Sequence, residues 1–304
     1  MKRRISQQTL FIATVVIIVV TTFDFDNYQT AVTKVSSEIA VYQNPYDDPQ
    51  EVMQGIYLAD QNFPSTAEIG AVLAPRFVIV PHHLTAAETI ATGIKALQGQ
   101  SFKKIALLSP DHFFQCLTLL CTTRGEYQTL FGTVESSSDA VDQLLTSDLV
   151  SDAPELFKEE HGIFAVLPFI RYYLPTVEVT PLVYSQTPPW KAKREEVLDL
   201  LDQVIDEQTI LVVSSDFSHY LSLDQADQQD ALTESVLLTS DLDGIAQLKN
   251  PDQSDCPNCL WLISALAQRR GFGQPQVLLH TNSALILKDP NAESTTSHYA
   301  IIFE

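Results

Sequence analysis

The chain has 304 residues, of which 45% are hydrophobic and 18% charged, with 38 acidic against 18 basic side chains. This length and composition suit a folded domain with a sizeable core and exclude a disordered chain, collagen and a disulfide-dense miniprotein. The formal net charge of −20 argues against nucleic-acid binding, which draws on a basic surface.

The N-terminus carries the pattern of an export signal. Three basic residues, Lys2, Arg3 and Arg4, precede an uncharged run over residues 9–23, and acidic residues follow it. As a helix this run would span about 22 Å, short of the ~30 Å hydrocarbon core, which leaves a cleaved signal peptide open. The lack of an A-x-A-like cleavage site and the ability of Arg3 and Arg4 to snorkel favour an uncleaved anchor.

We therefore expect membrane contact through residues 9–23, with the domain outside the cytoplasm at the cell membrane. A secreted domain after signal cleavage is one alternative, and a buried strand at residues 9–23 is another. Residues 24–65 are polar and contain a turn cluster over residues 44–49, so we interpret them as a spacer. The remaining residues, 66–304, are expected to form one domain.

From residue 76 onward, short β-branched runs alternate with helical patterns, which is typical of an α/β fold. The predicted strands cover residues 76–80, 104–108, 177–183, 209–213, 276–280 and 299–303. The predicted helices cover residues 86–97, 140–145, 163–173, 191–205, 226–237 and 260–270. No linker interrupts this alternation. We expect a single domain with a central, mostly parallel or mixed sheet flanked by helices.

Three of the predicted strands run directly into turns that contain histidine. These turns hold His82 with His83, Asp111 with His112, and Asp216 with His219. Because ligands bind at the carboxyl ends of strands in open α/β sheets, we expect these side chains to converge in one pocket. The alternative for a single histidine is a capping or core role, and Asp111 and Asp216 can each cap a helix. No role is assigned to His280, and His298 is placed at the wrong end of its strand for the pocket.

Imidazoles combined with carboxylates or a thiolate suit iron, copper or zinc. The sequence contains no H-E-x-x-H helix, no G-x-S-x-G elbow and no glycine-rich phosphate loop. Zincin, α/β-hydrolase, Rossmann and P-loop functions therefore lack their signature motifs.

The order of these segments resembles the Memo-like family, whose bacterial members are often called AmmeMemoRadiSam system protein B. The segments are Val80-Pro81-His82, Leu108-Ser109-Pro110-Asp111-His112, Gly125-Glu126-Tyr127, Glu160-His161, and Ser214-Ser215-Asp216-Phe217-Ser218-His219-Tyr220. The resemblance implies a fold similar to that of class III extradiol dioxygenases, which use non-haem Fe(II).

The resemblance also implies a set of site residues. It places metal ligands at His82, His112 and Cys256, and it places His219 and Asp216 as catalytic groups facing the same pocket. Three further pocket candidates are His83, Asp111 and His161.

The chain departs from the family pattern after His161. Phe164 and Val166 stand where the family has Glu and Gln, and this puts an inherited activity in doubt. We therefore weigh two functions. The first is a non-haem, dioxygenase-like metal-dependent oxidoreductase, and the second is a non-catalytic domain that binds a small molecule or a protein. A hydrolase that uses metal-bound water is a weaker third.

The four cysteines form two close pairs in sequence. In an exported domain, Cys116 and Cys121 are expected to form a structural disulfide. For Cys256 and Cys259 three interpretations stay open: a disulfide, a metal ligand at Cys256, or a redox-active C-x-x-C motif at a helix N-terminus.

Overall fold

The structure, a computed structural model, describes residues 39–63, 74–186 and 190–304. The predicted membrane segment at residues 9–23 lies outside these residues. Within them, no helix combines the length and the apolar character needed to cross a membrane.

The strands of the described residues form one large mixed sheet and one small sheet. They are β1 (Val41–Gln43), β2 (Phe77–Val80), β3 (Lys104–Pro110), β4 (Leu120–Thr122), β5 (Glu126–Thr129), β6 (Gly132–Glu135), β7 (Val150–Asp152), β8 (Glu178–Tyr184), β9 (Thr209–Ser214), β10 (His219–Leu221), β11 (Gln276–Asn282) and β12 (Thr295–Phe303).

The helices lie between these strands. They are α1 (Pro49–Asn62), α2 (Ala87–Lys95), α3 (Ser138–Leu144), α4 (His161–Phe164), α5 (Leu167–Tyr173), α6 (Trp190–Val204), α7 (Leu223–Leu238), α8 (Leu242–Ile245), α9 (Pro257–Arg269) and α10 (Ser283–Ile286), with 3₁₀ turns at Leu84–Ala86 and Leu156–Lys158.

The topology of the large sheet places the functional residues at one edge. Strands β2, β9, β3 and β8 are parallel neighbours, while β12 pairs antiparallel with β2 and β4 antiparallel with β8. Val80, the last residue of β2, pairs with Ser214, the last residue of β9. The carboxyl ends of the parallel strands therefore meet, and the antiparallel β12 begins at this same edge.

The central strands are buried on both faces, as in other parallel sheets. In β2, Phe77 and Ile79 pack into one hydrophobic cluster that includes α9, while Val78 and Val80 pack into a second cluster that includes α2. The two clusters fix the register of each strand, since a slip of one residue would exchange its two faces. The strand ends, and the turns that follow them, are thereby held in place.

The predicted mixed α/β fold is confirmed, and the six predicted strands and six predicted helical regions are present with shifted ends. One prediction, a single helix over residues 163–173, is wrong: two helices, α4 and α5, occupy this region. Pro168 cannot donate a backbone hydrogen bond to the Phe164 carbonyl, which instead accepts one from Asn44 Nδ2 at 3.1 Å. The helix therefore ends and restarts before Pro168.

The domain also begins earlier than the sequence suggests. Strand β1 and helix α1 fall in the stretch interpreted as a spacer, yet they belong to the compact unit formed by residues 40–304. Asp48 caps α1 by accepting hydrogen bonds from the backbone of Gln50 and Glu51, and the helix buries Val52 and Ile56. The spacer prediction therefore does not hold for residues 40–63.

Candidate metal site

A cavity of about 410 Å³ opens at the carboxyl edge of the central strands. Its lining includes five histidines and one carboxylate: His82, His83, His112, His161, His219 and Asp255. The three histidine turns predicted to converge do so here, because β2, β3 and β9 are parallel neighbours.

His82 follows β2 and is buried, with its ring oriented by the neighbouring strand. A 3.1 Å hydrogen bond joins its Nδ1 to Ser214 Oγ at the end of β9. The opposite nitrogen, Nε2, lies 3.3 Å from Asp216 Oδ2 and 3.1 Å from Asp255 Oδ2. A histidine held through one ring nitrogen with the other facing carboxylates has the arrangement of a metal ligand.

His112 is oriented by a buried carboxylate. Its Nδ1 lies 2.5 Å from Glu160 Oε1, and its backbone N–H donates to Glu160 Oε2 at 3.1 Å. Its Nε2 faces Asp255 Oδ2 at 3.7 Å. Carboxylate–histidine pairs of this kind fix the orientation and raise the basicity of metal-binding imidazoles.

The approach of Glu160 to β3 depends on a glycine. A Cβ atom on Gly162 would lie 2.0 Å from Ser109 Oγ in β3, so a side chain here would displace the start of α4. The Gly162 N–H donates to Glu160 Oε1 at 3.0 Å, which caps the helix. Gly162 thus keeps Glu160 beside His112.

Asp255 supplies a carboxylate between the two histidines. Its Oδ1 accepts a 2.7 Å hydrogen bond from Ser215 Oγ, while Oδ2 faces His82 and His112. Burial raises the pKa of Asp255, but the charge of His82 and the close approach of His112 and His82 outweigh it and lower the pKa below its ordinary value. Asp255 is therefore held as an anion inside the protein.

Asp216 is fully buried and contacts three histidines. His298 Nδ1 lies 2.7 Å from its Oδ1, and its Oδ2 contacts His83 Nδ1 and His82 Nε2. Although burial alone raises its pKa, the charges of His82, His298 and His83 hold the pKa of Asp216 well below its usual range. The charge of Asp216 in turn raises the pKa of His83.

His219 faces the cavity with one free ring nitrogen. Its Nδ1 lies 2.7 Å from the carbonyl oxygen of Phe217, so Nδ1 carries the hydrogen and Nε2 is left as an acceptor. The next residue, Tyr220, is 71% exposed at the rim with φ of 60°. Phe114, also at the rim, has φ of 55°. Non-glycine residues in this strained region concentrate at functional sites.

The pKa values of His112 and His161 are shifted in opposite directions. Burial lowers the pKa of His112, but the nearby carboxylates of Asp255 and Glu160 raise it to about 10. Burial and the charges of His82, His112 and His83 lower the pKa of His161 to about 3. Near neutral pH, His161 is thus uncharged and its imidazole is free to bind a metal.

The donor atoms fit a metal ion. Among the residues that the structure describes, three groups place their ligand atoms within 4.8 Å of one another: His82 with His112 and His161; His82 with His83 and Asp216; and Asp216 with His219 and Asp255. His82 Nε2 and Asp216 Oδ2 are buried side by side, yet neither makes a well-aligned hydrogen bond. Buried polar atoms rarely lack such bonds, and a shared cation would satisfy both.

Two predicted site residues do not contribute to the cavity. The sulfur of Cys256 is bonded to that of Cys259, so Cys256 is not a ligand, and the adjacent Asp255 enters the pocket instead. Asp111 caps its own loop: its carboxylate accepts hydrogen bonds from the backbone of Gln115 and Cys116 at 3.1 and 2.8 Å. The disulfide predicted between Cys116 and Cys121 is present.

Three residues that the sequence interpretation did not assign to the site belong to it. They are Glu160, Asp255 and His298. Glu160 directly precedes the predicted pocket residue His161, and Asp255 directly precedes the predicted ligand Cys256. In both cases, the acidic residue next to a predicted site residue is the sequence feature that indicates a role in the site. The prediction that His298 lies at the wrong end of its strand for the pocket is wrong, because β12 runs antiparallel to β2 and begins at the site.

The departures from the family pattern at Phe164 and Val166 do not reach the cavity. Both side chains are fully buried in the hydrophobic cluster on the α2 face of the sheet. The Phe164 ring packs against Tyr127, with ring centroids 5.7 Å apart. The apolar residues at these positions thus remove no polar group from the described pocket, contrary to the expectation from sequence.

Fold and site together define an α/β domain with a histidine-rich, metal-type pocket at the strand ends. Residues 42–270 match the family model described as Memo-like protein, and the chain belongs to this family. A MEMO1 family protein of Pyrobaculum arsenaticum is 25% identical over 67% of this chain and 75% of its own length. One from Metallosphaera sedula is 23% identical over 72% and 80%. The crystal structure of the uncharacterized protein JW3007 from Escherichia coli K12 is similar with a TM-score of 0.49 and 17% identity, covering 74% of this chain and 99% of that one.

Proposed function

We propose that this protein binds a first-row transition metal in the strand-end cavity and acts as a non-haem metal-dependent oxidoreductase on a small organic substrate. The observation that carries the proposal is the approach of His82 Nε2 and His112 Nε2 to the same oxygen, Asp255 Oδ2, at 3.1 and 3.7 Å. Two histidines and one carboxylate are the ligands of non-haem Fe(II) oxygenases, in which the ion keeps open positions for substrate and dioxygen.

The surrounding residues support this chemistry by position. Ser214 and Glu160 hold the two imidazoles with Nε2 facing the cavity. His219 presents an acceptor nitrogen that can take a proton from a bound substrate. Phe114 and Tyr220 line the rim and can cover a substrate from solvent.

The second candidate function, a binding domain without chemistry, lacks structural support. It rested on apolar residues at positions 164 and 166, which pack in the core. No other observation favours it.

The metal test uses full-length, untagged protein. Elemental analysis after dialysis against Fe(II) or Zn(II) is expected to show bound metal in the wild type and in His280→Ala, a histidine variant outside the cavity. Replacement of both His82 and His112 by alanine is expected to abolish it. Metal content that is unchanged in the double variant would overturn the proposal.

The oxidoreductase part has its own test. The Fe(II)-loaded protein is expected to consume dioxygen in the presence of small catechols, and the double variant is not. Stoichiometric Fe(II) without any substrate-dependent dioxygen uptake would leave a metal-binding protein and refute the oxidoreductase.

We place the domain outside the cytoplasm, held at the membrane by residues 9–23. Support comes from the basic N-terminal triplet and from the cysteines, since all four are paired in disulfides, which persist in oxidising compartments. An alkaline phosphatase fusion after residue 304 is expected to be active in intact bacteria. Deletion of residues 1–23 is expected to abolish that activity, and an active deletion fusion would refute the placement.

A further inference from the structure

The cavity contains more metal-binding groups than one ion requires. Two of the three ligand groups share no residue: His82, His112 and His161 form one, and Asp216, His219 and Asp255 form the other. In each group the ligand atoms lie within 4.8 Å of one another.

The two groups adjoin through short contacts. His82 Nε2 of the first group lies 3.3 Å from Asp216 Oδ2 and 3.1 Å from Asp255 Oδ2 of the second. His112 Nε2 lies 3.7 Å from the same Asp255 oxygen. Asp255 is thus positioned to bridge two ions, and bridged ions in two-metal sites are typically about 3.5–4 Å apart.

Charge balance favours cation binding in the cavity. Asp216, Asp255 and Glu160 are all buried carboxylates, and buried charge without a counter-charge is costly. His83 and His298 contact Asp216 and balance part of this charge. Metal ions in the cavity can balance the rest, since imidazoles that bind a metal are neutral.

On these grounds we propose that the cavity binds two divalent transition-metal ions, the first on His82, His112 and His161 and the second on Asp216 and His219, with Asp255 shared. The proposal rests on the proposed metal-binding function and extends it. The two positions differ in chemistry: the first is rich in nitrogen and the second rich in oxygen, which suits Fe(II) or Mn(II). His219 Nε2 cannot accept a proton while it binds an ion, so with both ions bound His219 would be a ligand and not a proton acceptor.

The test counts ions in full-length, untagged protein dialysed to equilibrium against Co(II). We expect two ions per chain in the wild type and in the control His280→Ala, and one in His219→Ala. A single ion in the wild type would overturn the second position and leave the proposed function intact. No bound ion would instead refute the proposed function. Two ions retained in His219→Ala would refute the assignment of His219.

A second measurement does not depend on the variant folding. Electron paramagnetic resonance of the wild-type protein loaded with Mn(II) is expected to show exchange coupling between two ions that share Asp255. Spectra of isolated Mn(II) at full loading would contradict a bridged pair.

Discussion

The carboxylate of Asp255 lies 3.1 Å from His82 Nε2, although the two residues are distant in sequence and arise from different elements. His82 follows β2, whereas Asp255 directly precedes α9. Both residues line the cavity, and Asp255 directly precedes Cys256, the residue that the family pattern implies as a ligand. The neighbouring Cys256 is meanwhile bonded to Cys259.

We expect Asp255→Asn to weaken metal binding by more than the ~10–100-fold typical of a change outside the ligand shell, because the amide keeps the shape but removes the charge. Competition with a chromophoric chelator measures the dissociation constant. The control is Asp252→Asn, an exposed residue of the same loop, which should leave the affinity unchanged. Equal affinity in the Asp255 variant would show that this carboxylate is not a ligand.

Metal affinity should rise with pH. In the metal-free protein the pKa of His112 is raised to about 10, so near neutral pH its imidazole is protonated and must lose that proton to bind an ion. Below pH 10 we expect about a tenfold gain in apparent affinity per pH unit for this one displaced proton. Chelator competition at several pH values measures it.

Glu160→Gln provides the control for the pH dependence. Removal of the carboxylate charge lowers the pKa of His112 and should flatten the slope at neutral pH. A wild-type affinity that does not change with pH would contradict the proton assigned to His112.

Loss of the Cys256–Cys259 disulfide, which lies beside the cavity, should weaken metal binding, whereas loss of the Cys116–Cys121 disulfide should not. Reduction of Cys256–Cys259 frees the segment that carries Asp255, and we expect weaker binding together with a stability loss of roughly 2 kcal/mol. The matched comparison is Cys116→Ala with Cys121→Ala against Cys256→Ala with Cys259→Ala. Equal metal affinity in both double variants would show that the Cys256–Cys259 disulfide does not influence metal binding.

The start of α4 should tolerate no side chain at Gly162. Gly162→Ala would bring a Cβ atom to 2.0 Å from Ser109 Oγ, and we expect a destabilisation of about 1–3 kcal/mol in denaturant unfolding. Gly273→Ala is the control, since a Cβ atom there would meet its nearest neighbour only at 3.7 Å. Equal stability of the two variants would show that α4 can shift away from β3.

The sequence predicts most of the central sheet because its strands are buried on both faces and read as continuous apolar runs. The short strands β4 to β7 and β10 have three or four residues each, too few for a periodic pattern. The position of His298 follows from the antiparallel direction of β12, which no local pattern encodes. Similarly, the resemblance leads to Cys256, but the backbone presents the adjacent carboxylate to the cavity.

The central claim is that His82 and His112 bind a transition metal, and anomalous diffraction tests it most directly. Crystals of the full-length protein grown with Zn(II) are expected to show an anomalous peak about 2.0–2.1 Å from the Nε2 atoms of both histidines. A Zn(II)-saturated crystal without a peak in the cavity, or with its strongest peak at His280, would contradict the account.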